Sequence, residues 1–534
     1  MRKSTLFLLP ALAAVAWCQS THAPEPVTAT PIRHLVIVFP ENISFDHYFG
    51  TYPHAANPPN EPKFTAAPDT PTVNGLDHAL LTHNPNALNP ANGSGAVNPF
   101  RLDRSQAATA DQDHDYTAEQ LAFHGGLMDL FPKSVGKGNP PTSGSKSPLN
   151  TTGLTMGYFD GNTVTAMWNY AQRFAMNDNS YGTNFGPSTP GAINLVSGQT
   201  NGVVDIRNGK GDLADGGNGS FTLIGDPDPV GDVCSATTRM LVSMAGNNIG
   251  NLLNDANVTW GWFSGGFDLT VKNPNGTTGC KRSTVSPVTG KAIPDYIPHH
   301  EPFQYYPSTA NPSHARPSSV AAIGHSGDAA NHQYDVNDFY AAVKAGNFPA
   351  VSFIKAPSYQ DGHAGYSNPL DEQTFLAHMM NFLQQAPEWK DTAVIVAYDD
   401  SDGWYDHQMG PIVNQSSGST DALTGPGSCG TGTAALPGID PANAHAQGRC
   451  GFGPRLPFLA LSPWAKVNFV DHTLTNQASV IAFIENNWLG GKRLGKGSFD
   501  SISDPISGML DFANAPRMDK LLLNEQTGEV ESAR

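Results

Sequence analysis

The stretch His34-Leu-Val-Ile-Val-Phe39, which runs directly into Pro40-Glu41-Asn42, decides the fold class of this chain. The five consecutive apolar residues after His34 are typical of a strand that is buried on both faces. A second run of this kind, Thr392-Ala-Val-Ile-Val-Ala-Tyr398, ends in Asp399-Asp400. Strands buried on both faces occur in parallel sheets that helices cover on each side, so the two runs predict such a sheet.

The rest of the chain alternates predicted strands with predicted helices. Short apolar runs predict strands at 351–354 and 456–461, and apolar spacing predicts helices at 117–128, 160–176, 335–345, 371–385 and 480–488. We expect Thr117 and Asp371 to cap two of these helices. The alternation predicts an α/β fold with a mostly parallel sheet flanked by helices. Residues 200–310 are rich in Gly, Asn and Asp, and we expect a loop-rich insertion or lid there.

The composition excludes several classes of protein. Among 534 residues, 30 are Lys or Arg and 47 are Asp or Glu, which gives a net charge of −17. This acidic balance argues against a nucleic-acid-binding protein, because contact with the phosphate backbone requires a basic surface. A hydrophobic content of 39% is enough for a large core, while 54 Gly and 43 Pro predict long irregular loops.

The N-terminus has the pattern of a secretion signal. Arg2 and Lys3 precede an apolar run, 6–17, that is too short to span a bilayer. We therefore expect a signal peptide over 1–23, with a buried N-terminal helix as the alternative. No later stretch is apolar for the roughly 18 residues that a spanning helix needs. These features predict a periplasmic or secreted protein without a stable membrane span.

The remaining chain divides by composition into three parts. A Pro-rich linker over 24–31 leads into a main domain over 32–495, and a tail over 496–534 packs on the core or extends from it. Four cysteines follow the predicted signal peptide, and they are Cys234, Cys280, Cys429 and Cys450. An even number in an exported chain predicts disulfides, and pairing of sequence neighbours gives Cys234–Cys280 and Cys429–Cys450. A cysteine-based zinc site is disfavoured by the wide spacing.

Both buried strands end in polar side chains. Glu41-Asn42 follow the first strand and Asp399-Asp400 follow the second. The carboxyl ends of parallel strands lie at one edge of a sheet, where ligands bind in open α/β folds. Carboxylates crowded at one edge repel one another unless a cation neutralises them, and oxygen ligands suit a hard divalent cation. The sequence therefore predicts a metal site, although Asp399-Asp400 could also simply begin a turn.

Ser188 is the candidate nucleophile. It precedes Thr189 and Pro190, which are suited to the cap and the first position of a helix. A helix N-terminus favours an anion, and a hydroxyl beside a cation can act as a nucleophile. The alternative is that Ser188 only caps the helix.

Histidines in polar loops are candidates for binding phosphate or for protonating a leaving group. They are His114, His299, His300 and His363. Each of them could instead be an exposed histidine or one with a structural role.

Six motifs, in order, resemble the bacterial phosphoesterase family, which includes secreted phospholipases C and a group of acid phosphatases. The motifs are Glu41-Asn-Ile-Ser-Phe-Asp-His-Tyr-Phe-Gly50, Asp113-His114 with Glu119-Gln120, Gly186-Pro-Ser-Thr-Pro190 with Ser197-Gly-Gln199, His300-Glu-Pro-Phe303, Asp361-Gly-His363 and Tyr398-Asp-Asp-Ser-Asp-Gly403. The resemblance extends over about residues 32–490.

The resemblance implies an alkaline-phosphatase-like fold for a catalytic domain over 32–495. It also implies hydrolysis of phosphate esters through a phosphoserine, with one divalent metal ion (Ca, Mg, Mn or Zn). The residues that match the metal-binding positions are Glu41, Asn42, Ser188, Asp399 and Asp400. Ser188 also matches the nucleophile, and the residues that match histidines around the phosphate are His114, His300 and His363.

Two positions differ from the phospholipase branch of this family. Ile43 stands where that branch often has Arg, and Ser188 stands where it often has Thr. Both differences favour an acid phosphatase acting on small phosphate monoesters, with a phospholipase C acting on phosphatidylcholine-type lipids as the alternative. A secreted protein that binds metal or phosphate without turnover is a further alternative.

Overall fold

An eight-stranded sheet forms the centre of the protein. The structure, a computed structural model, describes residues 27–140, 147–217, 219–430 and 446–533, so the predicted signal peptide lies outside the described residues. The strands of the sheet are β1 (His34–Val38), β2 (Ala175–Asn177), β3 (Trp260–Ser264), β4 (Gln333–Asp335), β5 (Val351–Lys355), β6 (Thr392–Ala397), β7 (Phe458–Leu461) and β8 (Phe469–Asp471). They lie in the order β4-β3-β5-β1-β6-β7-β2-β8.

The direction of the strands agrees with the predicted fold class. β7 runs antiparallel to its two neighbours, and every other adjacent pair in the sheet is parallel. β1 lies between β5 and β6, with Ile37 opposite Phe353 on one side and Ile395 on the other. The expected α/β fold with a mostly parallel sheet is therefore confirmed, and the ends of β1, β5 and β6 lie side by side at one edge.

Helices flank this sheet. Their bounds are α1 (Phe45–Phe49), α2 (His78–Thr82), α3 (Pro85–Leu88), α4 (Tyr116–Phe123), α5 (Phe131–Ser134), α6 (Thr165–Arg173), α7 (Ser188–Ser197), α8 (Ile249–Asp255), α9 (Val336–Lys344), α10 (Pro369–Gln385) and α11 (Ala478–Trp488). Among the described residues, no helix is both long and apolar enough to cross a membrane.

Short strands outside the central sheet form small sheets and hairpins. Their bounds are Phe100–Arg101, Gly157–Tyr158, Ser180–Tyr181, Val203–Arg207, Leu213–Gly217, Ser220–Leu223, Asp228–Pro229, Leu241–Met244, Ser283–Val285, Ala292–Pro294, Thr475–Asn476, Leu521–Leu523 and Val530–Ala533.

Three of the predicted helices have wrong bounds. The helix predicted over 160–176 is α6, which extends only from Thr165 to Arg173, and residues 175 and 176 belong to β2 instead. α4 ends at Phe123 and not at Met128, because His124 adopts a left-handed conformation (φ 47°) that terminates the helix. Thr117 does not cap α4, since its hydroxyl donates to the carbonyl of Thr420 at 2.7 Å. α10 begins at Pro369, and Asn368 caps it in place of Asp371, because the Asn368 side chain accepts from the amides of residues 370 and 371.

The predicted insertion over 200–310 is wrong in extent. Trp260–Ser264 forms β3, which pairs with β4 and β5 inside the central sheet. The run Trp-Gly-Trp-Phe is buried along its whole length, although a Gly-rich and Asn-rich sequence surrounds it. The part between residues 200 and 250 does contain short strands, and the part between residues 268 and 296 contains a two-stranded sheet.

Covalent and side-chain contacts attach the peripheral segments to the core. The two predicted disulfides, Cys234–Cys280 and Cys429–Cys450, are both present. The tail packs on α10, where the Gln384 side chain exchanges two hydrogen bonds with the backbone of Leu521 (2.7 and 2.8 Å). At the other end, the backbone N–H of Thr30, in the expected linker, donates to the side chain of Asn487 in α11 at 2.9 Å.

α7 packs directly against the end of β6. A Cβ atom added to Gly191 in α7 would lie 2.2 Å from the carbonyl oxygen of Asp399 and 2.7 Å from its carbonyl carbon. Only glycine therefore allows this approach, because backbone atoms cannot move aside as a flexible side chain can. The approach places the first turn of α7 next to the polar residues that follow β6.

We expect Gly191→Ala to destabilise the protein by about 1–3 kcal/mol, as overpacking of a tight contact does. Helix propensity alone predicts that the substitution stabilises the protein, because Ala is more favourable than Gly in a helix by roughly 1 kcal/mol. The matched control is Gly211→Ala, whose Cβ would meet no atom within 4 Å. Urea denaturation of the two variants measures the difference, and equal stabilities would contradict the close packing of α7 on Asp399.

Candidate active site

Ser188 is the first residue of α7, and its position corrects the predicted start of the helix. The residue before the helix is Pro187, and neither Ser188 nor Thr189 caps it. The carboxylate of Asp226 takes that role from outside the helix, since it accepts from the Thr189 amide at 2.8 Å. The Ser188 hydroxyl is therefore not used as a cap and is available for other contacts.

The Ser188 hydroxyl is surrounded by oxygen atoms from the two predicted strand ends. Its Oγ lies 2.8 Å from Glu41 Oε2, 3.3 Å from Asn42 Oδ1 and 3.1 Å from Asp400 Oδ2. All four side chains are buried. The structure therefore brings together the segments near positions 41 and 400, as the strand-end argument predicted, and places Ser188 beside them, as the resemblance implied.

Backbone hydrogen bonds hold the Glu41-Asn42 segment in place. The Glu41 amide donates to the carbonyl of Asp361 at 2.7 Å, and the Ile43 amide donates to the carbonyl of Asp400 at 2.9 Å. Asn42 lies between them in the left-handed region (φ 62°), where Asn is tolerated better than most residues. Its amide donates to Asp399 Oδ1 at 2.8 Å, so the segment after β1 is tied to the segment after β6.

The two aspartates after β6 differ in their surroundings. Asp399 Oδ1 accepts from two backbone amides, whereas Asp399 Oδ2 is buried and has no hydrogen-bond partner among the described residues. Asp400 faces Ser188, and burial together with the charge of Asp399 raises its pKa well above the usual range. Each of these features indicates negative charge that the protein itself does not fully compensate.

The donor set fits a divalent metal ion. Carboxylate oxygens of Glu41, Asp399 and Asp400, the amide oxygen of Asn42 and the hydroxyl of Ser188 are the oxygen ligands that hard cations prefer. The unpartnered Asp399 Oδ2 is a buried polar atom of the kind that is normally satisfied by hydrogen bonds or by a metal. These five residues could therefore hold one cation beside the Ser188 hydroxyl.

His114 lies next to this group. Its Nε2 is 3.4 Å from Asn42 Nδ2, and its Nδ1 is 3.2 Å from the carboxylate of Asp402. Burial lowers the pKa of His114, but the negative charges of Asp400 and Asp402 outweigh this effect and raise the pKa well above the usual value. A protonated imidazolium at this position can donate a proton or a hydrogen bond.

His300 and His363 also lie at the site, in different electrostatic environments. His300 Nδ1 is 3.1 Å from Glu41 Oε1, which identifies His300 rather than its neighbour as the histidine facing the carboxylates. His299 instead faces Asp228 at 3.3 Å. Burial lowers the pKa of His300 well below its usual value and lowers that of His363 to about 4. The His114 and His363 rings meet edge to face, with centroids 5.9 Å apart.

The sequence did not assign a role to several residues that the structure places here. Lys355, the last residue of β5, contacts Glu41 Oε1 through its ammonium. Asp361 lies 4.0 Å from His300 Nδ1, and burial raises its pKa to about 8 although the charge of Lys355 lowers it. Glu119 accepts from the Gly186 amide at 2.9 Å and from the Ser401 hydroxyl at 2.6 Å. A lysine that closes an otherwise apolar strand was the available signal for Lys355.

A search against protein families matches residues 32–489 to the model of the Phosphoesterase family. The chain belongs to the Phosphoesterase family. It is accordingly a phosphoric ester hydrolase. The match covers nearly the whole of the predicted catalytic domain, from the start of β1 to the end of α11.

Relatives of this phosphoesterase are named as phospholipases C. Phospholipase C A of Mycobacterium tuberculosis is 24% identical over 460 residues, which cover 83% of this chain and 70% of that protein. The non-hemolytic phospholipase C of Pseudomonas aeruginosa is 23% identical over 465 residues, which cover 86% of this chain and 54% of that protein.

A solved structure from Vibrio parahaemolyticus, described as a protein in the alkaline phosphatase superfamily, is also similar to this phosphoesterase. It is 12% identical, with 79% of this chain and 80% of that chain covered and a TM-score of 0.27.

Glu372 in α10 contacts several segments that carry candidate site residues. It accepts from the hydroxyl of Tyr48 at 2.6 Å and from that of Tyr398, the residue before Asp399. Its carboxyl carbon would lie 3.1 Å from a Cβ on Gly362. Burial raises the pKa of Glu372 to about 7, although the bonds from Tyr398 and Tyr48 lower it. One carboxyl group therefore contacts three segments that carry candidate site residues.

We expect Glu372 to make stability depend on pH. Because the folded-state pKa is about 7 and the unfolded value is 4.5, its contribution is fully present below pH 4.5 and is lost as pH rises through 7. A shift of this size corresponds to about 3 kcal/mol. In Glu372→Gln the loss of stability between pH 5 and 8 should be smaller than in the wild type by about that amount.

Urea denaturation at each pH measures this difference, and groups that titrate in both proteins cancel in the comparison. Glu531→Gln, which removes an exposed carboxyl group, serves as the control and should leave the pH profile unchanged. Parallel profiles for the wild type and Glu372→Gln would contradict the raised pKa.

Proposed function

We propose that this phosphoesterase hydrolyses phosphate monoesters through a phosphoserine intermediate formed on Ser188. The observation that carries the proposal is the position of the Ser188 hydroxyl, at the first residue of α7 and within 3.3 Å of Glu41, Asn42 and Asp400. Buried hydroxyls are common at helix starts, but a hydroxyl among this many carboxylate oxygens is unsuited to a purely structural role. The arrangement favours a nucleophile that works beside a cation.

We further propose that one divalent metal ion is held by Glu41, Asn42, Ser188, Asp399 and Asp400. When bound, such an ion lowers the pKa of the serine hydroxyl and polarises a phosphate oxygen. Oxygen ligands favour Ca²⁺, Mg²⁺ or Mn²⁺, and Zn²⁺ also accepts carboxylates.

The chain's own residues would perform the remaining steps. Glu41 and Asp400 orient the Ser188 hydroxyl as alternative acceptors of its hydrogen bond, while the positive dipole end of α7 favours the negative charge of the phosphoryl group. His114 is the candidate general acid for the leaving alcohol, because it lies beside Asn42 and is held charged by Asp400 and Asp402. His300 and His363 would contact the phosphate as largely neutral imidazoles.

Two candidate activities differ in the class of substrate that is hydrolysed. A monoester is supported by Ser188 and Ile43, which stand where the phospholipase branch often has Thr and Arg. A phospholipase C is supported by the names of the relatives. Both reactions would use the same attack by Ser188. With phosphatidylcholine the leaving alcohol would be diacylglycerol, and the phosphoryl group transferred to Ser188 would still carry choline.

We propose an exported enzyme, with residues 1–23 as the removed signal peptide. Two disulfides support this location, since disulfides persist mainly in oxidising compartments. The same compartment would give access to small phosphate esters or to lipid surfaces.

Ser188→Ala should lower kcat on p-nitrophenyl phosphate by at least about 10³-fold, because the nucleophile itself is removed. The matched control is Ser197→Ala at the other end of α7, where the hydroxyl donates to the backbone carbonyl of Ile193 at 3.0 Å. That variant should retain most of the activity. Acid quenching during turnover, followed by mass spectrometry, should find a phosphoryl group on Ser188 in the wild type. Wild-type turnover in Ser188→Ala would refute the assignment.

Chelation should abolish activity, and add-back of a single divalent metal should restore it, with elemental analysis finding about one ion per chain. Parallel assays on p-nitrophenyl phosphate and on phosphatidylcholine vesicles then separate the two substrate classes. A higher kcat/KM for the lipid would favour the phospholipase C candidate. Full activity after exhaustive chelation would contradict the metal site in either case.

A further inference from the structure

Lys355 places a buried amino group beside the carboxylates. It is the last residue of β5, and its side chain is only 3% exposed. Its ammonium contacts Glu41 Oε1 and lies 5.3 Å from the centroid of the Phe39 ring. A lysine is almost never buried in this way unless it is paired, so its place beside Glu41 calls for an explanation.

The surroundings of Lys355 resemble a metal site in their donor atoms. Glu41 Oε1 also lies 3.1 Å from His300 Nδ1, which is 4.0 Å from Asp361 Oδ2. These three side chains are buried, and each offers a ligand atom within 4.8 Å of the others. Carboxylate oxygens with an imidazole nitrogen form a donor set that divalent transition metals accept. The Lys355 ammonium contacts one of these atoms directly.

The two carboxylate oxygens of Glu41 consequently contact different groups. Oε1 is paired with Lys355 and His300, whereas Oε2 faces the Ser188 hydroxyl.

We propose that Lys355 is a positioning residue whose ammonium takes the place of a second metal ion beside Glu41, and that this contact turns Glu41 Oε2 toward Ser188. The inference rests on the proposed function, because it assumes one divalent ion at Glu41, Asn42, Ser188, Asp399 and Asp400. It predicts that removal of the ammonium opens a second site formed by Glu41, His300 and Asp361.

The test compares Mn²⁺ binding to the wild type and to Lys355→Ala by equilibrium dialysis and electron paramagnetic resonance. The wild type should bind about one Mn²⁺ per chain with an uncoupled spectrum. Lys355→Ala should bind about two Mn²⁺ per chain. Its spectrum should differ from that of the wild type, because neighbouring Mn²⁺ ions couple magnetically. Lys355→Gln retains most of the side-chain volume and provides the same comparison if the alanine variant does not fold.

Arg282→Ala is the matched control, because it also removes a buried cation at the same edge of the sheet. Arg282 pairs with Asp295 at 3.0 Å and with Asp335 at 3.2 Å, at the end of β4. This variant should lose stability but still bind about one Mn²⁺.

Kinetics supply a second readout. At one equivalent of Mn²⁺, kcat of Lys355→Ala should fall by about 10²–10³-fold, the typical effect of losing one electrostatic partner. Millimolar Mn²⁺ should raise kcat of Lys355→Ala by at least about tenfold, whereas kcat of the wild type should not change. The inference would be overturned if both Lys355 variants bound one Mn²⁺ per chain or fewer. An uncoupled spectrum of the Mn²⁺ bound to these variants would also overturn it. A wild type that binds no metal would refute the proposed function instead.

Discussion

The crowding of buried negative charge at the carboxyl edge of the sheet is the constraint on which the rest of the structure depends. Glu41 and Asp400 lie within about 3 Å of the Ser188 hydroxyl, Asp399 is the residue before Asp400, and all three are buried. Taking one charge out of water costs several kcal/mol unless it is paired. These buried carboxylates are stabilised by contacts with backbone amides, with a lysine, with a histidine and with the expected cation.

Sequence reasoning succeeded where local pattern and topology point to the same answer. The apolar run after His34 predicted a strand buried on both faces, and parallel pairing with the run at 392–398 placed the polar residues at 41, 42, 399 and 400 at one edge. The Thr189-Pro190 pair placed Ser188 next to a helix start, although the predicted cap was wrong. Charge, burial and chain direction are therefore enough to bring the central residues together.

Other features depend on contacts between distant segments, which no local pattern records. α7 begins two residues earlier than its own sequence predicts, and Asp226, 37 residues away from Thr189, accepts from the Thr189 amide. β3 lies in a segment whose composition is typical of loops, yet its two tryptophans are buried between neighbouring strands. The lysine at the end of β5 was a weak signal for Lys355, because its contact with Glu41 joins positions more than three hundred residues apart.

The same long-range contacts explain how a loop-rich chain builds a precise site with only 14% charged residues. Each loop at the sheet edge is held by the next, as the Glu41 amide binds Asp361 and the Ile43 amide binds Asp400. A loop fixed in this way has already lost its conformational entropy during folding, so little ordering remains when a substrate arrives. Gly191 extends this arrangement to the nucleophile, since its missing side chain lets the start of α7 rest on the backbone of Asp399. The rigidity that catalysis requires is therefore supplied by backbone contacts between loops, and the charged side chains remain available for chemistry.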